Sequence, residues 1–186
     1  MKKGFSSRTK ARRRAVDVLF EADQRGFGTN AEKLRRLADE RRTVSTAQTG
    51  IPPYAHEIVY GVAKNGARID DAIAACATNW TLERMPGVDL AILRVGAWEI
   101  LYNSEIDTPV AIKQALLIAE VIGGDKSPGF INAVLDRLAK NERIRQEAVK
   151  LGVGVPEPLK VSQTPDEAKA FGEDTQVVFA EDETSE

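Results

Sequence analysis

An all-α fold, with two small helical bundles packed around a central helix buried on both sides, is what this 186-residue sequence predicts. Three observations carry it. Where apolar residues recur they do so at helical steps of three and four, no stretch alternates as a strand does, and Gly- or Pro-containing breakers separate the periodic segments. With 42% hydrophobic and 29% charged residues the chain suits one domain of ordinary size plus a tail, and it is too short for two full catalytic domains.

The first helix is expected from about Ser7 to Arg25, from the spacing of Ala11, Ala15, Val18, Leu19 and Ala22, with Gly26-Phe27-Gly28 as its stop. Asn30 is a cap for a segment carrying Leu34 and Leu37. Thr49-Gly50-Ile51-Pro52 breaks the chain, Pro52-Pro53 opens a helix with Ile58, Val59 and Val62, and a separate short segment follows from Arg68 to Cys76. From about Val88 to Tyr102 there are two apolar stripes: Leu90, Leu93, Ala97, Ile100 and Leu101 on one side, Val88, Ile92 and Val95 on the other. A helix apolar on two sides is buried on two sides. Another helix is expected from Pro109 to Ile122, and after Gly123-Gly124-Asp125 a last one opens at Ser127-Pro128 and runs past Leu138. The folded domain is placed at residues 1–154, and the acidic segment 155–186 is expected to be disordered in isolation, having too few apolar residues to offset its ordering entropy.

Charge is unevenly distributed. Residues 1–14 hold seven basic side chains and no acid, whereas residues 157–186 hold nine acids against two lysines, so the formal charge of -2 conceals a basic head and an acidic tail. A basic head of this kind marks a polyanion-binding arm. On the first helix Arg13 falls opposite the apolar stripe with Arg12 and Arg14 on its flanks, so the three are splayed and cannot share one phosphate. Phe20 lies on the same outer side, above Arg13 and Asp17. Two readings stay open for it: packing against a second subdomain, with Arg13 paired to Asp17, or stacking on a base of single-stranded RNA. Glu99 prolongs the second apolar stripe of the central helix, a place that demands either solvent at the edge or a cationic partner.

Searches for chemistry return absences. There is no phosphate loop, dinucleotide fingerprint, nucleophile elbow or H-E-x-x-H, and with one cysteine and one histidine no intrachain disulfide or ordinary zinc site can form. His56 reads as structural, Cys76 as a small core residue, and Asp70-Asp71 as first-turn electrostatics. No run is apolar enough for a membrane span and no signal peptide opens the chain, so a cytoplasmic protein without cofactor, metal or catalytic residues is expected: a binding module.

Trp80-Thr81-Leu82-Glu83-Arg84-Met85 followed by Val88-Asp89-Leu90-Ala91-Ile92-Leu93-Arg94, then Pro109-Val110-Ala111-Ile112-Lys113-Gln114-Ala115, then Phe130-Ile131-Asn132-Ala133-Val134-Leu135-Asp136, resembles the NusB family of bacterial transcription antitermination factors over about residues 8–140. The resemblance implies a helical fold of two packed bundles. It also implies binding of boxA-type single-stranded RNA from ribosomal RNA leader transcripts together with NusE, a small-subunit ribosomal protein, within the antitermination complex on RNA polymerase. By position, Arg8, Lys10, Arg12 and Arg13 look like the RNA-binding arm, with Phe20 where the family usually has tyrosine. Lys126, Phe130 and Asn132 look like a second wall of the RNA site, and Glu99 like the carboxylate facing NusE. Lys113 replaces the family's usual asparagine, and Pro128-Gly129 stand where bulkier polar residues are common. Two other functions stay open, a helical protein adaptor that never touches RNA and a relative of the ribosomal RNA methyltransferases that carry a NusB-like domain, as does the choice between monomer and homodimer.

Overall fold

The computed structural model describes residues 5–43, 49–78 and 80–150. The segment expected to be an acidic tail, 155–186, lies outside the described residues. Seven α-helices and one short 3₁₀ turn are present among them: α1 (Ser7–Gln24), α2 (Ala31–Thr43), α3 (Pro53–Cys76), the turn Leu82–Arg84, α4 (Gly87–Tyr102), α5 (Thr108–Ile122), α6 (Ser127–Lys140) and α7 (Glu142–Lys150).

Local chemistry accounts for most boundaries. Ser6 accepts from the Thr9 amide at 3.2 Å to start α1, and the Asn30 carboxamide accepts from the Lys33 amide at 3.0 Å to start α2. Gly26 and Gly28 adopt positive φ between these helices, a conformation that costs glycine little. Prolines occupy the first turns of α3, α5 and α6, where a missing N–H leaves no helical bond unmade.

Helices α1, α2 and α3 pack on one another as one bundle, α4, α5 and α6 as the second, and α4 joins them through contacts with α1 and α3. Every residue of α4 from Asp89 to Glu99 is buried, as its two apolar stripes require. One expectation is corrected. The segment Arg68–Cys76 is not a separate helix but the last third of α3: Asn65-Gly66 does not break the helix, because buried Asn65 donates to the Gly61 carbonyl at 2.9 Å and Gly66 packs on Thr29, while Gly61 lies against the Trp98 indole. The helix opening at Ser127 runs past Leu138 as expected, to Lys140, and Asn141 then caps α7, accepting from the Ile144 amide at 3.2 Å.

Candidate nucleic-acid interface

Helices α1 and α4 lie side by side and antiparallel, since Arg12 meets Glu99 near the end of α4 while Phe20 meets Gly87 at its beginning. The two ends differ in character. At the first, the Arg12 Nε donates to both Glu99 oxygens, at 2.8 and 3.0 Å, and the Tyr54 hydroxyl donates to Glu99 Oε1. Arg12 is 3% exposed and Glu99 1%. Burial pushes the Glu99 carboxyl above its ordinary value, against the pull of Arg12, the Tyr54 hydroxyl and Arg8; the Tyr54 phenol is raised by burial and by Glu99. Thr9 Oγ1 donates to Gln114 Oε1 at 2.6 Å and fastens α1 to α5 beside this pair.

These positions correct two expectations. Arg12 is not part of an exposed arm: the flank of α1 on which it sits is covered by α4, and its guanidinium is consumed by Glu99. Glu99 does not face outward to a partner: it lies in the interior, where only a buried cation makes a carboxylate tolerable. Arg8 and Lys10 are both exposed but leave the first turns of α1 on different sides, Arg8 lying over the Tyr54 ring at 4.9 Å and Lys10 on the outer side with Arg13, which is half-buried with its Nε 3.2 Å from Asp17 Oδ1. Arg14 donates to the Thr49 carbonyl at 3.1 Å.

At the other end of α4 the polar lock gives way to aromatic rings. Phe20 packs on the first turn of α4, so that a Cβ at Gly87 would lie 3.1 Å from Phe20 Cε2. On the other side of the same turn, Ser127 Oγ donates to Asp89 Oδ2 at 2.9 Å and accepts from the Gly124 amide at 2.9 Å, which fixes the loop carrying exposed Lys126. Burial raises the Asp89 carboxyl, with the Ser127 bond opposing, and Asp89 Oδ1 has no partner among the described residues. Phe130, one turn into α6, leans on Trp80 with ring centroids 6.2 Å apart. Phe20 and the Lys126 loop thus meet the first turn of α4 from two sides, and Phe130 and Trp80 pair just beyond the loop. Arg8 lies twelve residues back along α1 from Phe20, about 18 Å at the helical rise. Asn132 does not join them: two positions on from Phe130 it turns to the far side of α6 and lines a groove of about 670 Å³ between α5 and α6 with Pro109, Ile112, Lys113 and Leu116.

Sequence reasoning missed a third polar cluster. Arg94, buried in the middle of α4, donates through Nε and Nη2 to Asp70 at 2.8 and 3.0 Å and through Nη1 to both Asp23 oxygens at 2.8 and 2.7 Å. Asp70 is therefore a mid-helix ion-pair partner, in place of the first-turn role expected for it. The signal available was Arg94 itself, a cation inside a helix apolar on both sides. His56 is structural: it is buried, stacks on Tyr60 at 4.3 Å and shares a 2.9 Å hydrogen bond with Asp39.

Fold and surface together define an all-helical protein with exposed cations at the start of α1 and partly exposed aromatic side chains near the start of α4; among the described residues no His, Cys, Asp or Glu group could hold a metal and no helix is long and apolar enough to cross a membrane. The NusB family model matches residues 9–140. A transcription antitermination protein NusB of Paenarthrobacter aurescens (strain TC1) is 46% identical over 137 residues, which span 73% of this chain and 95% of the relative. That of Leifsonia xyli subsp. xyli (strain CTCB07) is 46% identical over 138 residues, spanning 74% and 94%. Among solved structures, NusB of T. maritima superposes with a TM-score of 0.60 at 28% identity, covering 79% of this chain and 99% of that one. The chain belongs to the NusB family.

Proposed function

We propose that this chain is a transcription antitermination factor that holds boxA-type single-stranded RNA of ribosomal leader transcripts and works with NusE in an assembly on RNA polymerase. One observation carries the RNA reading: the outer side of α1, with exposed Lys10, half-buried Arg13 and Phe20 and with exposed Arg8 at its start, runs to the first turn of α4, to which the Asp89–Ser127 bond ties the loop of exposed Lys126, with Phe130 just beyond on Trp80. Cations along a path and aromatic rings at its end are what a flexible polyanion with stackable bases needs. Arg13 joins the path when phosphate competes with Asp17, whereas Asn132, on the groove side of α6, lies outside it. Glu99 enters indirectly, by holding Arg12 and with it the register of α1 on α4. The curated relatives support the antitermination role, since those cited above bear that name.

The test is a salt series with a boxA-type RNA oligonucleotide. Four phosphate contacts, from Arg8, Lys10, Arg13 and Lys126, give a log–log slope of about -2.8 on a single strand, and the double variant Arg8→Ala/Lys10→Ala flattens it by about 1.4. A slope unchanged in that variant removes the arm from the site. Titration with NusE, with and without RNA, tests the partner.

A further inference from the structure

We infer that Trp80 is an additional RNA-contacting residue, a platform on which a base of the same single strand stacks beyond Phe130; this rests on the RNA reading above. The chain has two tryptophans, used in opposite ways. Trp98 is completely buried in α4, whereas Trp80, in the connection from α3 to α4, leaves 49% of its surface to solvent. An exposed indole that is held in place offers a large flat apolar face with a polar edge, the kind of surface enriched where proteins meet partners.

Trp80 is held. Its amide donates to the Ala77 carbonyl at 3.2 Å, closing the turn that follows α3, and its ring leans on Phe130 at a 56° interplanar angle. Arg137, two turns along α6 from Phe130, donates through Nη1 to the Cys76 carbonyl and to Thr78 Oγ1, both at 3.0 Å, which pins the same turn and sets a guanidinium beside it. In sequence, exposed Arg84 follows Trp80 by four residues and exposed Lys126 precedes Phe130 by four, each next to an acid, Glu83 and Asp125. An exposed indole leaning on Phe130, with the Arg137 guanidinium at the same turn, fits a nucleobase with its phosphates better than it fits an apolar protein face, for which the guanidinium would have to be desolvated.

The arrangement supplies its own probe. Titration of the full chain with a boxA-type RNA oligonucleotide should quench the fluorescence of Trp80 and leave that of buried Trp98, and in Trp80→Phe the remaining emission should not respond to RNA. Trp80→Ala should bind this RNA roughly tenfold more weakly with an unchanged salt slope, because stacking is lost and no phosphate contact is. Trp80→Phe, which keeps a ring, should stay within about threefold of the parent. Circular dichroism and melting of both variants should match the parent, as the side chain is half in solvent. Equal RNA affinity of Trp80→Ala and the parent, or unquenched Trp80 at saturating RNA, overturns the inference and leaves the RNA reading standing. A variant with normal RNA affinity but an altered sedimentation profile assigns the indole to a second copy of the chain and overturns it likewise. Failure of the unmodified chain to bind the RNA overturns both.

Discussion

The two ends of α4 solve opposite problems with the same helix. Near its C-terminus, Arg12, Tyr54 and Glu99 form a closed polar lock, and Trp98 fills the space left by Gly61. At its N-terminus, Phe20, Trp80 and Phe130 leave apolar surface partly uncovered around a loop that Ser127 ties to Asp89 of α4 and to its own Gly124. At the closed end Arg12, Tyr54 and Glu99 are spent on one another and report on folding, while Arg8 and Lys10 beside them stay exposed. The open end retains exposed cations and rings, so its residues report on binding. Charge or aromaticity in the sequence does not separate the two; what the neighbouring helix covers does.

The largest effect should come from breaking the lock. Glu99→Ala strands Arg12 in the interior and should cost about 3–5 kcal/mol in chemical denaturation, while the double variant Arg12→Met/Glu99→Leu should recover most of it. A loss below about 1 kcal/mol for Glu99→Ala would mean that the pair is not closed in solution. Next, Gly61→Ala drives a methyl into the Trp98 indole, and overpacking of this kind should cost about 1–3 kcal/mol with RNA affinity per folded molecule unchanged.

At the open end the pattern should invert. Lys126→Ala should leave the melting temperature where it was and flatten the RNA salt slope by about 0.7, the share of one phosphate on a single strand. A large fall in melting temperature with an unchanged slope would erase the distinction between the ends.

The smallest effect concerns pH. Burial raises the folded pKa of Asp89 above its unfolded value, so the folded chain holds this proton more tightly and the group's contribution to stability, full in acid, declines as pH rises through the folded pKa. Asp89→Asn should therefore match the parent in acid and gain a few tenths of a kcal/mol at neutral pH, read from paired denaturation curves. Glu21 runs the other way: the Arg41 hydrogen bond, opposed by burial and helped by the charges of Arg41 and Arg25, lowers its pKa. Its contribution is present above the unfolded pKa and is lost as pH falls through the folded one.

Much of this was legible in the sequence because it rests on periodicity. The doubly buried α4 followed from two apolar stripes, and the prolines and Asn30 marked helix starts through local chemistry that needs no distant partner. Polar pairs across the fold were harder. The carboxylate of Glu99 announced that it needed a cation, but 87 residues separate it from Arg12, and a helical wheel shows which flank Arg12 occupies without showing that α4 covers that flank. Arg94 was passed over for the same reason, its partners Asp23 and Asp70 lying on two other helices. Phe20 divided evenly between packing and stacking in the sequence, and it packs on the start of α4 at the open end, where partial exposure leaves stacking available. Helix α7 was missed because it is mostly polar, with Ile144 and Ala148 its inward contacts.

The account depends most on where the RNA lies. Ultraviolet crosslinking of the full chain to a boxA-type RNA oligonucleotide, with the attached peptides identified by mass spectrometry, reads that position directly. Adducts are predicted on peptides containing Phe20, Trp80 and Phe130 and absent from the Tyr54 peptide, whose hydroxyl is engaged by Glu99. Adducts confined to the α5 wall of the groove, at Pro109, Ile112 and Leu116, with none on the peptides of Phe20, Trp80 and Phe130, would contradict it.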